Sequence, residues 1–201
     1  MSEEARAQRQ ARIEAAAFAL LEERGYAGTS MLAIARRARA SNETLYNWYG
    51  DKAGLFKALI ARNSADLRAH LEADVEAGAD PVATLRALGP KLLRLVLGPR
   101  AVALNRAAAA DPSGQLGRAL SAAGRETVLP RIAMVLERAR ASGAIEFETV
   151  DAALDLYVSL LIGDQQVRRV IGVLEVPEPA ESDARAARAL GHFLTLLRPQ
   201  G

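Results

Sequence analysis

The segment Ser41–Lys52 reads SNETLYNWYGDK and gathers residues able to do chemistry. Asn42, Glu43, Thr44 and Asn47 are short polar side chains, and the rings of Tyr46 and Trp48 lie among them. On the outer face of a helix these types make either a plain solvated surface or one that suits the edges of bases in a DNA major groove. Asn pairs with adenine, Glu accepts from the cytosine amino group, and Thr touches a thymine methyl. Glu43 has a second explanation, since a carboxylate in a first turn favours the helix dipole. Other chemistries find no support. The chain has no cysteine, and His70 and His192 stand alone, so neither a metal site nor a cofactor is expected. There is no nucleophile elbow, phosphate loop or histidine pair, and an enzyme is not expected.

The elements that must position these residues are helices, and the fold class is all-α. Half of the 201 residues are apolar, strand signals are nearly absent, and Ala, Leu, Arg and Glu dominate. Helices are expected at about 4–24, stopped by Gly25; at 31–38, capped by Ser30; at 42–49, capped by Ser41; and from Asp51 to about Val75. Further helices are expected from Pro81 to Gly98, at about 101–110, from Gly114 to about Ala141 with a bend near Pro130, at 150–174, and at 183–197, making about nine. No apolar run reaches the roughly 20 residues of a membrane span. The N-terminus is mixed in charge, so a cytoplasmic protein without a membrane is expected. The formal charge of +2 falls entirely in residues 1–60, with nine Lys/Arg against seven Asp/Glu. A nucleic-acid partner is compatible with that placement.

Four of the nine aromatic residues fall between Tyr46 and Phe56. Helices of eight or so residues are marginal alone, so they need a packed base. Phe18, Tyr49 and Phe56 supply rings for it. Ala35, Ala38, Leu45 and Tyr49 are the inward candidates, with Leu32 or Ile34 beside them. Two short helices with a tight turn and a small crossing residue, Ala35, make a helix-turn-helix.

The stretch GYAGTSMLAIARRARASNETLYNWYGDKAGLFKALI resembles the DNA-binding domain of the TetR family of bacterial transcriptional repressors. The resemblance rests on Gly25-Tyr26, Thr29-Ser30, Ile34-Ala35, Thr44-Leu45-Tyr46, and Lys52 with Leu55-Phe56. More loosely, LNRAAAADPSGQLGRALSAAGRETVLPRIAMVLERARASGAI resembles the AefR-like branch in layout. The resemblance implies a head over 1–60 and a ligand-binding and dimerisation domain over 61–201. It implies a homodimer on a palindromic operator of double-stranded DNA, released by a small-molecule inducer. An activator of the same fold, or a helical dimerisation module without an inducer, remains the alternative. It further implies phosphate contacts from Tyr46 and Lys52. Thr29, Ser30 and Ser41 cap helices whose first amides can face a phosphate. Trp48 is open between a contact at the DNA rim and packing, and Tyr46 and Lys52 also have plain readings as a packing ring and a solvated cation. Two departures stand out: Arg39 where glycine is usual, at a cost of about 1 kcal/mol in a left-handed turn, and Asn42-Glu43 where Lys-Gly is common.

The remainder says less about its chemistry. Only Phe147, Tyr157 and Phe193 carry rings beyond residue 60, so an aliphatic or small carbonyl-bearing inducer is expected, not a planar cationic dye. Asn105, Tyr157 and Gln165 are the ligand-binding candidates. Asp164, Gln165 and Gln166 are equally compatible with pocket, interface or solvent. Leu154, Tyr157, Leu161, Leu190, Phe193, Leu194 and Leu197 are the candidates for a dimer interface in which two helices per protomer form a four-helix bundle.

Overall fold

The computed structural model describes residues 2–199, without the side chain of Arg125. No strand occurs among the described residues, and twelve α-helical segments and one π-helical turn account for the regular structure. The chain forms two compact units. One joins the chain up to Asn63 with Arg100–Ser121, and the other joins Ser64–Pro99 with the chain from Ala122 onward.

The first unit contains α1 (Glu3–Arg24), α2 (Met31–Ala38), α3 (Asn42–Tyr49) and α4 (Lys52–Asn63). Ser2, Ser30 and Ser41 cap α1, α2 and α3, each accepting from a backbone amide three residues on. Gly25 ends α1 with φ of 66°. The fully buried Ile13, Ala17, Ile34, Leu45, Leu55 and Phe56 form the base on which the short helices rest. The rings of Tyr26 and Phe56 meet edge to face at 5.1 Å. Beyond α4, α7 (Pro99–Ala109) supplies residues from Arg100 onward, and α8 (Gln115–Ser121) packs on α4.

The second unit contains α5 (Ala65–Glu76), α6 (Pro81–Leu97), the π-helical turn Ala122–Glu126, α9 (Leu129–Ala141), α10 (Val150–Ile162), α11 (Gln165–Val170) and α12 (Pro179–Leu196). Its core is leucine, isoleucine and valine around one ring pair, Tyr157 and Phe193, whose centroids are 5.3 Å apart. The α6–α12 crossing is close. A Cβ added at Gly89 would lie 3.0 Å from the Cβ of Ala186.

Three expected helices are divided. The helix after Asp51 breaks at Ser64, where the polar pair Asn63-Ser64 competes for backbone hydrogen bonds. The helix after Gly114 passes through the π-helical turn before Pro130, instead of bending at the proline itself. The helix from Val150 breaks at Gly163, which takes φ of 56°. The last helix begins earlier than expected, because Pro179 occupies its first turn and Glu178 and Glu181 form a capping box.

Candidate nucleic-acid interface

The caps decide which face of α3 turns outward. Ser41 accepts from the Thr44 amide at 3.0 Å, and its hydroxyl lies 2.8 Å from that of Thr44. With this start, Leu45 becomes the inward residue of α3 and is fully buried. Asn42, Glu43, Tyr46 and Asn47 are then exposed, while Thr44 and Trp48 are half-buried. The helix-turn-helix thus brings six of the expected contact residues onto one short helix. Tyr46 exposes 49% of its surface. Tyr49, expected inside, is half-buried. Burial, and after it the Glu14 carboxylate, raise its phenol to about 12, and its hydroxyl is unpaired.

The turn between α2 and α3 is closed by Arg39, the one non-glycine with positive φ among the described residues, at φ 53° and ψ 43°. Its amide donates to Arg36 O, and Ala40 N donates to Ala35 O at 3.0 Å, the pairing of a Schellman end. Of the pair expected beside Ala35, Ile34 is fully buried and Leu32 is 47% exposed.

Three expected residues are already engaged within the head. The Thr29 hydroxyl is buried and donates to Gly25 O at 2.8 Å. Ser30 accepts from the Ala33 amide. The Lys52 ammonium donates to Tyr26 O at 2.7 Å and to Thr29 O at 2.9 Å, and it lies 4.0 Å from the centre of the Tyr26 ring. Partial burial lowers its pKa. Lys52 therefore ties the α1–α2 connection to the start of α4. The end of α3 is equally tight, since a Cβ on Gly54 would stand 2.0 Å from Tyr49 O. Sequence reasoning missed one contact. The Arg6 guanidinium lies over the Trp48 ring, 5.6 Å from its centroid.

The ligand candidates are divided between the two units. Asn105, in the first unit, donates to Ala101 O. Tyr157, in the second, is buried, and its hydroxyl donates to Leu85 O at 3.2 Å. Burial raises its pKa. Gln165 keeps a buried, unpaired side-chain oxygen. Asp164 is exposed and Gln166 is half-buried, its amide 3.5 Å from Val96 O. The expected dimer residues require a correction. Leu154, Tyr157, Leu161, Leu190 and Phe193 are buried inside the second unit, their surface spent on its own core, and only Leu194 and Leu197 are half-buried. A groove of about 820 Å³ lies between α9 and α10 of this unit. Leu129, Ala133, Met134 and Leu154 floor it, and Asp151 and Asp155 stand at its edge.

A helix-turn-helix with its second helix turned polar side out defines a DNA-binding transcriptional regulator. The chain belongs to the TetR family. Residues 13–59 match the model described as bacterial regulatory proteins, tetR family, and residues 83–198 match that of the AefR-like transcriptional repressor C-terminal domain. Members of this family are regulators and not enzymes. The HTH-type transcriptional repressor SCO4008 of Streptomyces coelicolor is 35% identical over 89 residues, which is 43% of this chain and 46% of that repressor. The chain thus spans about half the length of the curated relative it matches. A TetR-family regulator from Mesorhizobium loti shares the fold with a TM-score of 0.79 at 24% identity, covering 99% of this chain and 100% of its own. The flavonoid-responsive regulator FrrA is 28% identical with a TM-score of 0.68, covering 97% and 100%. Bacillus subtilis FadR, in complex with stearoyl-CoA, shares the fold at 17% identity and a TM-score of 0.72, covering 92% and 97%. No helix among the described residues is long and apolar enough to cross a membrane.

Proposed function

We propose that the protein is a ligand-responsive, cytoplasmic repressor that binds a palindromic operator as a homodimer and is released by a small-molecule inducer. The observation that carries this reading is α3. Its apolar side is consumed by the core through Leu45, while Asn42, Glu43, Thr44, Tyr46 and Asn47 remain on the other side. Asn42, Glu43, Thr44 and Asn47 read base edges, and Tyr46 and Trp48 meet the backbone at the rim. Ser41 and Ser30 set the helix ends, and Lys52 holds the head together while presenting charge to the backbone. Thr29 acts through its cap and turn.

A head with one recognition helix needs a partner to read two half-sites about 34 to 36 Å apart, or a multiple of that distance. The dimer surface lies on the outer sides of α10 to α12. There Leu156, Leu160 and Leu194 are half-buried, and Val167 and Ile171 are exposed. The inducer is an aliphatic or small carbonyl-bearing compound held by the second unit, whose core is largely aliphatic. The inducer must favour the non-binding state by about 2.7 kcal/mol to shift the equilibrium a hundredfold.

The test is equilibrium binding of the purified protein to duplexes selected from a random pool. Two protomers per palindromic site, with affinity falling steeply as salt rises, support the reading. Absence of sequence preference, or binding indifferent to salt, contradicts it. An inducer screen by thermal shift and DNA release separates acyl compounds, flavonoids and planar cations. Release by planar cations alone would overturn the aliphatic assignment.

A further inference from the structure

α1 begins at Glu3, ten residues before the family match starts at residue 13. Those residues make nearly three additional helical turns. They are not a free end, because the guanidinium of Arg6 lies over Trp48, 5.6 Å from the ring centroid. Trp48 belongs to α3 and follows Asn47 directly, so the contact brings a cation beside the helix that faces DNA.

The form of the contact matters. A guanidinium held over a ring by cation–π attraction spends no hydrogen bond on it, so its N–H groups stay open to other acceptors. Arg6 is exposed, and no ion pair to it is found among the described residues. Other arginines of the head are differently placed, as Arg37 pairs with Glu23 and Arg62 with Glu14. Glu3 and Glu4 occupy the first turn, where they favour the helix dipole. Arg6 is therefore held in position without its hydrogen-bond donors being used, the condition under which an arginine takes a phosphate with two parallel bonds.

We propose that the N-terminal turns of α1 extend the DNA-binding surface, with Arg6, braced on Trp48, contacting a backbone phosphate beside each half-site. The inference rests on the DNA-binding reading of α3 and gives Trp48, at the rim, the added role of positioning an arginine. Arg9, one turn on and half-buried, adds positive potential to the same stretch.

The test uses the full chain, a duplex selected from a random pool, and a salt titration. Arg6→Ala should weaken binding of the dimer on the order of a hundredfold, about tenfold for each of two lost charge-assisted hydrogen bonds. It should also flatten the slope of log affinity against log salt by about 1.8 per dimer, at about 0.9 for each of two lost phosphate contacts. Base preference should stay as in the wild type. Arg6→Lys keeps the charge and should keep most of the slope. Trp48 is the sole tryptophan, so its emission in the DNA-free protein reports the stack directly and should change in Arg6→Ala. Wild-type binding with an Arg6→Ala variant of unchanged slope and affinity would overturn the inference. So would an unchanged Trp48 emission. A wild-type protein that binds no duplex would instead overturn the reading of α3 and this inference with it.

Discussion

The two units differ in what they leave on their helix faces, although both tie some polar side chains to backbone carbonyls. In the first, α3 sends Leu45 inward and leaves a row of amides, a hydroxyl and rings facing out. In the second, long polar side chains are consumed by carbonyl oxygens of neighbouring segments. Tyr157 donates to Leu85, Arg169 to Leu97, Arg185 to Leu161 and Arg138 to Ala79. In the first unit the two short helices α2 and α3 are fixed by caps and rings beside the 22-residue α1. The second unit, the body, is fixed by mutual packing of its aliphatic helices and by these side-chain clasps. A surface built for hydrogen bonding is left free in one unit, and such groups are spent on cohesion in the other.

The largest expected effect separates the two cores. Phe193→Ala should cost the body about 3–5 kcal/mol and Leu45→Ala should cost the head about 2–5 kcal/mol, since each removes a fully buried side chain. Trp48 emission follows the head and circular dichroism follows the whole chain, so the two variants should move different transitions. If both shift the Trp48 transition equally, the comparison between separately held units breaks.

Gly54→Ala comes next. Its Cβ would meet the Tyr49 carbonyl at 2.0 Å, so the α3–α4 junction must shift. A loss of about 1–3 kcal/mol is expected, together with weaker DNA binding. Stability equal to the wild type would show that the junction is not as tight as the contact requires.

Lys52→Met separates the structural role of this cation from its proposed contact with DNA. Removing the donor to Tyr26 O and Thr29 O should cost about 1–3 kcal/mol, with the Trp48 transition as readout. Weaker DNA binding across all sequences without any loss of stability would make Lys52 a phosphate contact alone.

The smallest effect concerns Asp111, before α8. The Leu116 amide, the Ser113 hydroxyl and further backbone amides hold its carboxyl below the usual carboxylate range. A depressed folded pKa contributes stability above the ordinary value near 3.9 and loses it as pH falls through the folded value. Asp111→Asn should therefore melt slightly lower than the wild type near neutral pH, and the gap should close in acid. A gap independent of pH would show that the carboxylate charge is not what the turn uses.

The head was legible in the sequence because its signals are local. Ser30, Ser41 and Gly25 mark helix ends within three residues of the groups they satisfy, and the alternation around Leu45 sets the outer face. Even there, the partner of Lys52 lies 26 residues away, and the stack of Arg6 on Trp48 spans most of the head, so no short window shows either contact. The body was legible as helices but not as surfaces. Leu154, Tyr157, Leu161, Leu190 and Phe193 are apolar and helically spaced whether they face a core or a partner. Only packing against α6 and α9 shows that they face the core. The division at Gly163 follows the same rule, since a glycine inside an apolar run ends a helix only where the chain must turn.

The central claim is that the outer face of α3 reads DNA sequence while the rest of the head positions it. The most direct measurement is the base-preference profile of wild type and Asn47→Ala, selected from the same random pool. The account predicts that Asn47→Ala keeps its melting temperature and its salt slope but loses preference at one position of each half-site, by about 1–3 kcal/mol of discrimination. An Asn47→Ala profile identical to that of the wild type would contradict it.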